Sequence, residues 1–275
     1  MICFPNCKIN IGLNIIEKRK DGFHNLETVF YPINLKETLE FVEQDSQNKK
    51  TEFNSSGIKI EGNSTDNICL KAYNLLKEEY TIPELNIHLH KSIPIGAGLG
   101  GGSADGAYMI KYLNAYFNLN IPIEKQEKFA AQLGSDCAFF IKNKPVFAYG
   151  RGELFKEIEL NLNNYSILMI KPNIHISTAE AYSNIKPKLP EISVKDAILK
   201  PINEWKNCIS NDFEDSIFPK YGYLKEIKQE LYNKGALYAA MSGSGSTIYG
   251  IFDKNIKTNE FEVDTNFVWK GDLNV

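Results

Sequence analysis

The chain has 275 residues, of which 43% are hydrophobic, 12% aromatic and 24% charged, proportions typical of a globular protein and unlike those of a disordered or fibrous one. Its 31 basic and 34 acidic residues leave a net charge of −3, which argues against a broad basic surface for nucleic acid. No apolar stretch approaches the roughly 18 residues that span a bilayer, and the N-terminal segment lacks the features of a signal peptide. We therefore expect no nucleic-acid partner and no membrane partner.

Cysteines are scattered along the sequence. The five cysteines form no CxxC pair, so the pattern indicates neither a disulfide framework nor a structural zinc site. We expect free thiols in a cytoplasmic protein.

Hydrophobic periodicity predicts the elements of the first half of the chain. Residues 8–16 alternate between apolar and polar side chains, as in a half-buried strand, and a turn at Asp21-Gly22 leads to a return strand at 25–33. The polar segment 45–63 surrounds one short strand, and a helix begins at about Asp66. The next predicted elements are a strand at 85–93 and helices at 104–119 and 124–133, the last ending at Gly134.

Strands and helices also mix in the second half, without strict βαβ alternation. The predicted elements are strands at 146–149, 153–159 and 165–171, helices at 178–185, 194–204 and 223–234, and strands at 236–241 and 246–252. This order favours an α+β fold.

The strongest local signal is the segment PIGAGLGGGSAD at residues 94–105, which has five glycines in seven residues. Glycine permits positive φ and close approach of the backbone to a ligand. The segment leads into a helix, whose first N–H groups and dipole favour an anion. A plain connector does not require so many glycines, because each adds to the entropy lost on folding. The pattern indicates a phosphate-binding loop, with Ser103 placed to cap the helix or to contact a phosphate.

Other phosphate loops fit this segment less well. A Walker A loop needs a lysine before its Ser or Thr, and here Ser103 follows Gly102 directly. The VAIK strand that follows a protein-kinase loop is missing from the sequence. Gly96, Gly98 and Gly101 match the dinucleotide fingerprint, but the next predicted element after the helix is another helix rather than a strand bearing a ribose-binding acid. A dinucleotide-binding oxidoreductase is therefore a weaker alternative.

A second glycine turn, MSGSGST at residues 241–247, lies between two apolar predicted strands. Alone it is equally typical of a plain hairpin loop. Together with the first loop, it suggests two flexible backbone segments that converge on one polyphosphate.

These segments are similar to those of the GHMP small-molecule kinases. The family carries a PxxKxN strand, a PxGxGLGGGSA loop and a late SGSGS loop, which correspond to residues 5–10, 94–104 and 242–246. The resemblance implies an α+β fold with two domains: an N-terminal domain bearing the ATP loop and a C-terminal ferredoxin-like domain, with the active site between them. We place the boundary near residue 160, which gives domains at 1–160 and 161–275.

Within this family, residues 19–30, 134–140 and 176–182 resemble the members that act on a cytidylyl methylerythritol in the non-mevalonate isoprenoid pathway. The resemblance implies a small-molecule substrate and transfer of the γ-phosphoryl group of ATP, bound as its Mg²⁺ complex, to the 2-hydroxyl of the methylerythritol moiety. Phosphoryl transfer needs alignment and cation density more than covalent participation.

The resemblance also implies roles for single residues. Asp136 corresponds to the catalytic aspartate that orients or deprotonates the hydroxyl, and Lys8 to the lysine that neutralises developing charge. The implied substrate-binding residues are Asn10, Phe23, His24, Thr178 and Tyr182, with Phe23 and Tyr182 stacking on cytosine. The implied ATP-binding residues are Pro94, Ile95, Gly96, Ala97, Gly98, Leu99, Gly100, Gly101, Gly102, Ser103 and Ala104, and the second phosphate loop is Ser242, Gly243, Ser244 and Gly245.

Several questions stay open at this level. The nearest alternative is another GHMP kinase, acting on homoserine, mevalonate or a sugar, and a non-catalytic binding module is the alternative from another class. The metal ligands are unknown, with Ser103 and Asp105 as candidates. The reactivity of Cys137, beside the proposed base, and the choice between a monomer and a homodimer are also open.

Overall fold

The computed structural model describes residues 1–44, 50–254 and 267–274. Its strands are β1 (Ile2–Cys3), β2 (Asn6–Lys18), β3 (His24–Lys36), β4 (Thr38–Glu43), β5 (Glu52–Gly57), β6 (Leu85–Lys91), β7 (Val146–Tyr149), β8 (Leu154–Glu157), β9 (Tyr165–Lys171), β10 (Tyr238–Met241), β11 (Ile248–Asp253) and β12 (Phe267–Asp272). Its helices are α1 (Ile68–Lys77), α2 (Gly101–Tyr116), α3 (Ile123–Leu133), α4 (Phe139–Lys142), α5 (Thr178–Ser183), α6 (Val194–Ala197), α7 (Asp212–Ile217) and α8 (Gly222–Asn233). This mixture of helices and strands is the α+β class that the sequence predicts.

The chain divides into two compact units, each discontinuous in sequence. The first unit comprises Met1–Cys7, Leu35–Ile95 and Gly100–Asn143. The second comprises Lys8–Asn34, Gly96–Leu99 and the described residues from Lys144 onward. The sequence-based domains are instead continuous segments, and their boundary near residue 160 stays a prediction.

The first unit contains a four-stranded sheet in the order β1-β4-β6-β5, together with helices α1 to α4. Strand β5 runs parallel to β6, whereas β4 is antiparallel to both β1 and β6. The alternation predicted for β6 is confirmed, because its apolar side chains are buried and the side chains between them are exposed. Strand β6 is therefore a regular extended strand, and its last residue, Lys91, lies shortly before the glycine-rich loop.

The second unit contains two four-stranded sheets, in the orders β2-β3-β7-β8 and β10-β11-β9-β12. All strand pairs of the latter sheet are antiparallel. The predicted apolar face of α8 is confirmed, with Leu224, Ile227 and Leu231 buried in a cluster that includes Met241 and Ile248 from the strands. The second glycine turn joins β10 to β11, and this cluster includes the residues Met241 and Ile248 on its two sides.

Some predictions need correction. Strand β2 is buried on both faces rather than half-buried, because its polar side chains are covered as well as its apolar ones. The predicted helix at 194–204 is broken into α6 and a 3-10 turn at Ile202–Asn207. Pro201 precedes the turn and has no N–H to continue a helix. Strands β1, β4 and β12 and helices α4 and α7 were not predicted. Residues 45–49 of the polar segment lie outside the described residues, and its predicted strand is β5.

In the ranges that the structure describes, no helix combines the length and the apolar character needed to cross a bilayer.

Candidate active site

Lys8 is buried on the polar face of β2, beside the glycine-rich loop. It is 3% exposed, and its Nζ donates to Asn10 Oδ1 at 2.5 Å and to the Gly98 carbonyl oxygen at 3.3 Å. The backbone N–H of Lys8 donates to the Leu99 carbonyl oxygen at 2.9 Å. The Lys8 Nζ also lies 4.7 Å from the centroid of the Phe30 ring. These contacts place a cation directly against the loop backbone.

Asn10 is held from several sides, which fixes the direction of its side-chain amide. Its Nδ2 donates to Thr28 Oγ1 at 3.0 Å, and the Thr28 hydroxyl donates to the Gly12 carbonyl oxygen at 2.5 Å. Its backbone N–H donates to Ser242 Oγ at 3.2 Å, and its carbonyl oxygen accepts from the Tyr249 hydroxyl at 2.8 Å. Sequence reasoning missed Thr28 and Tyr249, because in strands they have the pattern of ordinary core positions.

The two glycine segments lie against each other in the second unit. Ser242 Oγ donates to the Gly98 carbonyl oxygen at 2.8 Å, and the Thr247 N–H donates to the Ala97 carbonyl oxygen at 3.4 Å. Gly98 has φ +77°, and a side chain there would collide with the Ser242 carbonyl oxygen. A side chain at Gly243, with φ +55°, would approach Asn10 Oδ1 to 3.2 Å. Glycine is therefore required at both positions by backbone angle and by close approach. Binding of a polyphosphate here stays a prediction.

Two further side chains support these segments, and sequence reasoning missed both. The Nδ2 of Asn211 donates to the carbonyl oxygens of Met241 at 2.7 Å and Gly243 at 2.8 Å. Its Oδ1 caps α7, so the Asn-Asp pair at this position was a detectable helix-start signal. His175 packs against Gly96, where an added side chain would lie 3.2 Å from the His175 ring.

The C-terminal part of the glycine-rich loop forms the first turn of α2. Gly100, with φ +69°, occupies the N-cap position without a side-chain hydrogen bond, and Gly101 is the first residue of the helix. Ser103 is therefore inside the first turn, and the prediction that it caps the helix is wrong. Since no side chain caps α2, its first N–H groups are suited to an anion. Pro94 and Ile95, which precede the glycines, are half-buried and exposed respectively.

Asp136 lies in the turn between α3 and α4 of the first unit. It is half-buried, and Ser135 Oγ donates to its Oδ1 at 3.4 Å. The neighbouring Cys137 is fully buried, and burial raises the pKa of its thiol to about 11. Cys137 is thus a packed, protonated thiol rather than a reactive thiolate. Lys8 belongs to the other unit, and the joint action of Lys8 and Asp136 stays a prediction.

The residues predicted to bind cytosine form two groups in the second unit. Phe23 is 54% exposed at the β2–β3 turn, and the Arg151 guanidinium carbon lies 4.9 Å from the centroid of its ring. Arg151 was not singled out from the sequence. The Phe23 backbone N–H donates to Asp21 Oδ1 at 3.1 Å, which fixes the turn that presents the ring.

The second group brings His24 and Tyr182 together. Their rings stack with centroids 4.9 Å apart and planes inclined by 23°, and Tyr182 also meets the Phe213 ring edge-on at 4.8 Å. Burial, with a contribution from the Lys18 charge, lowers the pKa of His24. Thr178 is exposed at the start of α5, where the preceding Ser177 caps the helix.

Asp105 does not fit its predicted role as a candidate magnesium ligand. It is 1% exposed, and the Lys91 ammonium donates to its Oδ2 at 2.8 Å. A carboxylate already paired with a buried cation is a poor ligand for a second cation. The residues described here contain no cluster of three or more His, Cys, Asp or Glu suited to a metal. His88 and His90 both bond to Ser56 Oγ, at 2.9 Å each, on an exposed sheet face.

Comparison with known proteins supplies the relationship. Residues 67–149 match the model for the N terminal domain of GHMP kinases, and residues 194–260 match that for their C terminal domain. The chain is 53% identical over 274 residues to a 4-diphosphocytidyl-2-C-methyl-D-erythritol kinase of Bacteroides thetaiotaomicron, covering 99% of this chain and 100% of the relative. It is 52% identical over 273 residues to the kinase of the same name from Bacteroides fragilis, again covering 99% and 100% of the two chains.

A solved structure gives the same relationship at the level of the fold. The crystal structure of a 4-(cytidine 5'-diphospho)-2C-methyl-D-erythritol kinase superposes with a TM-score of 0.75 at 27% identity, covering 91% of this chain and 89% of that one.

Proposed function

The chain belongs to the GHMP kinase family, and from this premise we propose that it phosphorylates the 2-hydroxyl of 4-diphosphocytidyl-2-C-methyl-D-erythritol with ATP. Relatives of that name are about half identical to it along nearly the whole length of both chains, which supports this acceptor. Homoserine, mevalonate and sugar acceptors are not favoured. The structural observation that carries phosphoryl transfer is the buried Lys8 ammonium at the junction of two touching glycine segments.

The glycine-rich loop suits the phosphates of ATP, which is a substrate of this reaction. Gly98 and Gly243 present backbone without side chains, and the 16-residue helix α2 begins within the loop, at Gly101. The uncapped N–H groups of α2 would bond phosphate oxygens, and the Lys8 charge would stabilise the transferring group. Mg²⁺ would enter as the ATP complex and would neutralise part of the charge on the phosphates.

Asp136 is the proposed partner of the acceptor hydroxyl. Its carboxylate would align the hydroxyl and accept its proton as the oxygen bonds to the γ-phosphorus. The bond between that phosphorus and the β,γ-bridging oxygen breaks, and ADP leaves with the electron pair. The chain supplies alignment and charge rather than a covalent intermediate.

The cytidine of the acceptor would be recognised by Phe23, His24, Thr178 and Tyr182. The exposed Phe23 ring offers a stacking surface, and the Arg151 guanidinium already lies against it. The His24 imidazole, packed flat on Tyr182, has a fixed orientation for bonding a base edge. Asn10, beside Lys8, would contact the methylerythritol moiety. We also propose that the reaction belongs to the non-mevalonate route to isoprenoids and that the enzyme is cytoplasmic.

One assay across a panel of acceptors tests this function. ADP release is measured with ATP and, in turn, 4-diphosphocytidyl-2-C-methyl-D-erythritol, homoserine, mevalonate and galactose. We expect sustained turnover with the cytidylyl acceptor and a product whose 2-hydroxyl carries the phosphate by ³¹P NMR. Turnover with only one of the other alcohols would assign a different kinase of the family, and nucleotide binding without any turnover would favour a binding module.

A further inference from the structure

Three charged side chains form a buried cluster in the first unit, separate from every residue assigned above to ATP or acceptor. The Lys91 ammonium donates to Glu37 Oε1 at 2.5 Å and to Asp105 Oδ2 at 2.8 Å. The exposed fractions of the three side chains are 4% for Lys91, 0% for Glu37 and 2% for Asp105. Although burial opposes the Lys91 charge, the two carboxylates raise its pKa above the usual value. The lysine is therefore a buried ammonium shared by two acids.

Glu37 also binds the backbone that enters the glycine-rich loop. Its Oε2 accepts from the N–H of Ser92 at 3.1 Å and from the N–H of Ile93 at 3.2 Å. Lys91 itself ends β6 immediately before these residues. One carboxylate thus fixes three consecutive residues just upstream of Pro94, where the loop begins.

The same cluster contacts the backbone that leaves the loop. Gly101 starts α2 so close to Glu37 that an added side chain would lie 3.1 Å from Glu37 Oε1. Asp105, one helical turn after Gly101, accepts a hydrogen bond from Lys91 and so connects α2 to the cluster. The two stems of the loop, at Ile93 and Gly101, are therefore joined through Glu37 and Lys91.

We propose that the cluster of Glu37, Lys91 and Asp105 is a positioning device for nucleotide binding, which holds the two stems of the glycine-rich loop at a fixed separation. The inference rests on the proposed ATP-dependent function. A loop rich in glycine loses more conformational entropy on ordering than other sequences. Fixing both stems before ATP arrives reduces the entropy that binding must remove, so the cluster raises affinity without touching the nucleotide.

The members of the cluster are not equivalent, which makes the proposal specific. Glu37 accepts from two backbone N–H groups and from Lys91. Among the contacts described, Asp105 accepts from Lys91 and interacts with Glu37 but receives no backbone N–H, and its Oδ1 is buried without a hydrogen-bond partner. Burial raises the pKa of Asp105 well above its usual range. Neutralising Glu37 should therefore loosen the loop much more than neutralising Asp105.

Glu84 provides a matched control in the same unit. It also pairs with a lysine, Lys77, and its Oε2 accepts from the backbone N–H of Thr51 at 2.9 Å. It lies just before β6, whereas Lys91 ends β6, so the two carboxylate sites are about 20 Å apart along the strand. Loss of Glu84 removes a comparable set of bonds far from the loop.

The experiment compares Glu37→Gln, Asp105→Asn and Glu84→Gln with the wild type in the full chain. ATP affinity is measured by calorimetry, below the onset of melting for each variant. We expect Glu37→Gln to weaken ATP binding by about tenfold, the value of a charge-assisted hydrogen bond, and Asp105→Asn to weaken it by less than about threefold. Glu84→Gln should bind ATP as the wild type does. Hydrogen exchange of residues 92–105 should accelerate in Glu37→Gln and not in Glu84→Gln.

Glu37→Asp is the second variant, for use if Glu37→Gln does not fold. It keeps the charge that balances Lys91 but withdraws the carboxylate by one methylene from Ser92 and Ile93, so ATP affinity should still fall. Wild-type affinity in a folded Glu37 variant, or equal losses in the Glu37 and Glu84 variants, would overturn the positioning role. Absence of ATP binding by the wild type would instead contradict the proposed function, and the two failures are thereby distinguished.

Discussion

Gly98 is the position where the geometry of the site excludes a side chain most strictly. Its left-handed backbone and its contact with Ser242 both exclude a side chain. We expect Gly98→Ala to separate the two glycine segments and to weaken ATP binding by at least about tenfold, measured by calorimetry on folded protein, since even one methyl group blocks the approach of the backbone.

Gly62→Ala is the control for backbone strain alone. Gly62 has φ +100° with open space around the position of an added side chain. Its substitution should cost about 1–2 kcal/mol of folding free energy, the usual penalty of a left-handed residue, without changing ATP affinity. Equal ATP affinity in Gly98→Ala and the wild type would show that the loop is only a connector.

Asp136 allows a test of chemistry apart from binding. Asp136→Asn keeps the shape of the side chain and loses its charge, so in the proposed mechanism the acceptor hydroxyl would lose its proton acceptor. We expect kcat to fall by about 10²-fold or more while both substrates still bind. Rapid-quench measurement of a single turnover reports this step directly. A variant with nearly normal single-turnover rates would remove Asp136 from the mechanism.

The cysteines give a prediction about reactivity. Burial raises the pKa of Cys137 to about 11 and of Cys3 to about 12, whereas Cys208 is only half-buried. Because the thiolate is the reactive form, we expect iodoacetamide at pH 7.5 to label Cys208 first in the native protein. Peptide mass spectrometry after brief labelling identifies the site, and rapid modification of Cys137 would contradict its packed state.

At the scale of elements, the sequence predicts strand and helix positions well where periodicity is strong. Strand β6 and helix α8 have the buried faces that their apolar spacing indicates. Strand β2 shows the limit of this reasoning. Its alternating pattern predicts one solvent-exposed face, whereas both faces are buried in the structure. Burial of Lys8 depends on the segment 96–99, which is distant in sequence and carries no periodic signal. Its candidate role came from the family resemblance rather than from periodicity.

Buried polar clusters are the part of the site that sequence reasoning missed. Glu37 lies between β3 and β4, and Lys91 ends β6, positions where charged residues are usually solvated. In the helix predicted at 104–119, Asp105 is simply a residue of the first turn. Their meeting requires the strand order β1-β4-β6-β5 and the placement of α2. Neither the strand order nor the placement of α2 can be inferred from local patterns of apolar and polar residues. Asn211 is similar, because its capping role is detectable and its bonds to Met241 and Gly243 are not.

Glu84, which lies just before strand β6, gives a prediction of acid sensitivity. The Lys77 ammonium, with Thr51, lowers the pKa of Glu84 from 4.5 to about 2. A lowered folded-state pKa stabilises the protein above pH 4.5, and this contribution disappears as the pH falls from about 4.5 to 2. The carboxylate is one-third exposed, so screening limits its contribution to about 1 kcal/mol at neutral pH.

Glu84→Gln tests this through urea unfolding at pH 7 and pH 3. The free energy of unfolding should be lower in the variant at pH 7, and the difference from the wild type should shrink at pH 3. A difference that stays constant with pH would mean that the Glu84 charge does not contribute.

At the scale of the whole molecule, the question is how the protein selects one acceptor alcohol. A tertiary hydroxyl gives little to recognise, so discrimination must come from remote groups whose binding energy lowers the barrier. In the proposal, the cytidine supplies those contacts through Phe23 and His24. One base–aromatic stack is worth about 1–3 kcal/mol, and one neutral hydrogen bond adds about 1 kcal/mol.

We therefore expect methylerythritol phosphate, which lacks the cytidine, to have a kcat/KM lower by about 30-fold to 10³-fold than the full acceptor. Phe23→Ala should lower kcat/KM for the full acceptor by about tenfold and hardly change it for the truncated one, so the ratio between the two substrates shrinks. Because Phe23 is 54% exposed, the substitution removes little core packing, and unchanged ATP affinity serves as the control for folding. Steady-state kinetics with both acceptors measures the ratio. If Phe23→Ala lowers kcat/KM by the same factor for both acceptors, the ring contributes to the structure of the protein rather than to binding of the base. The cytidine must then be recognised elsewhere.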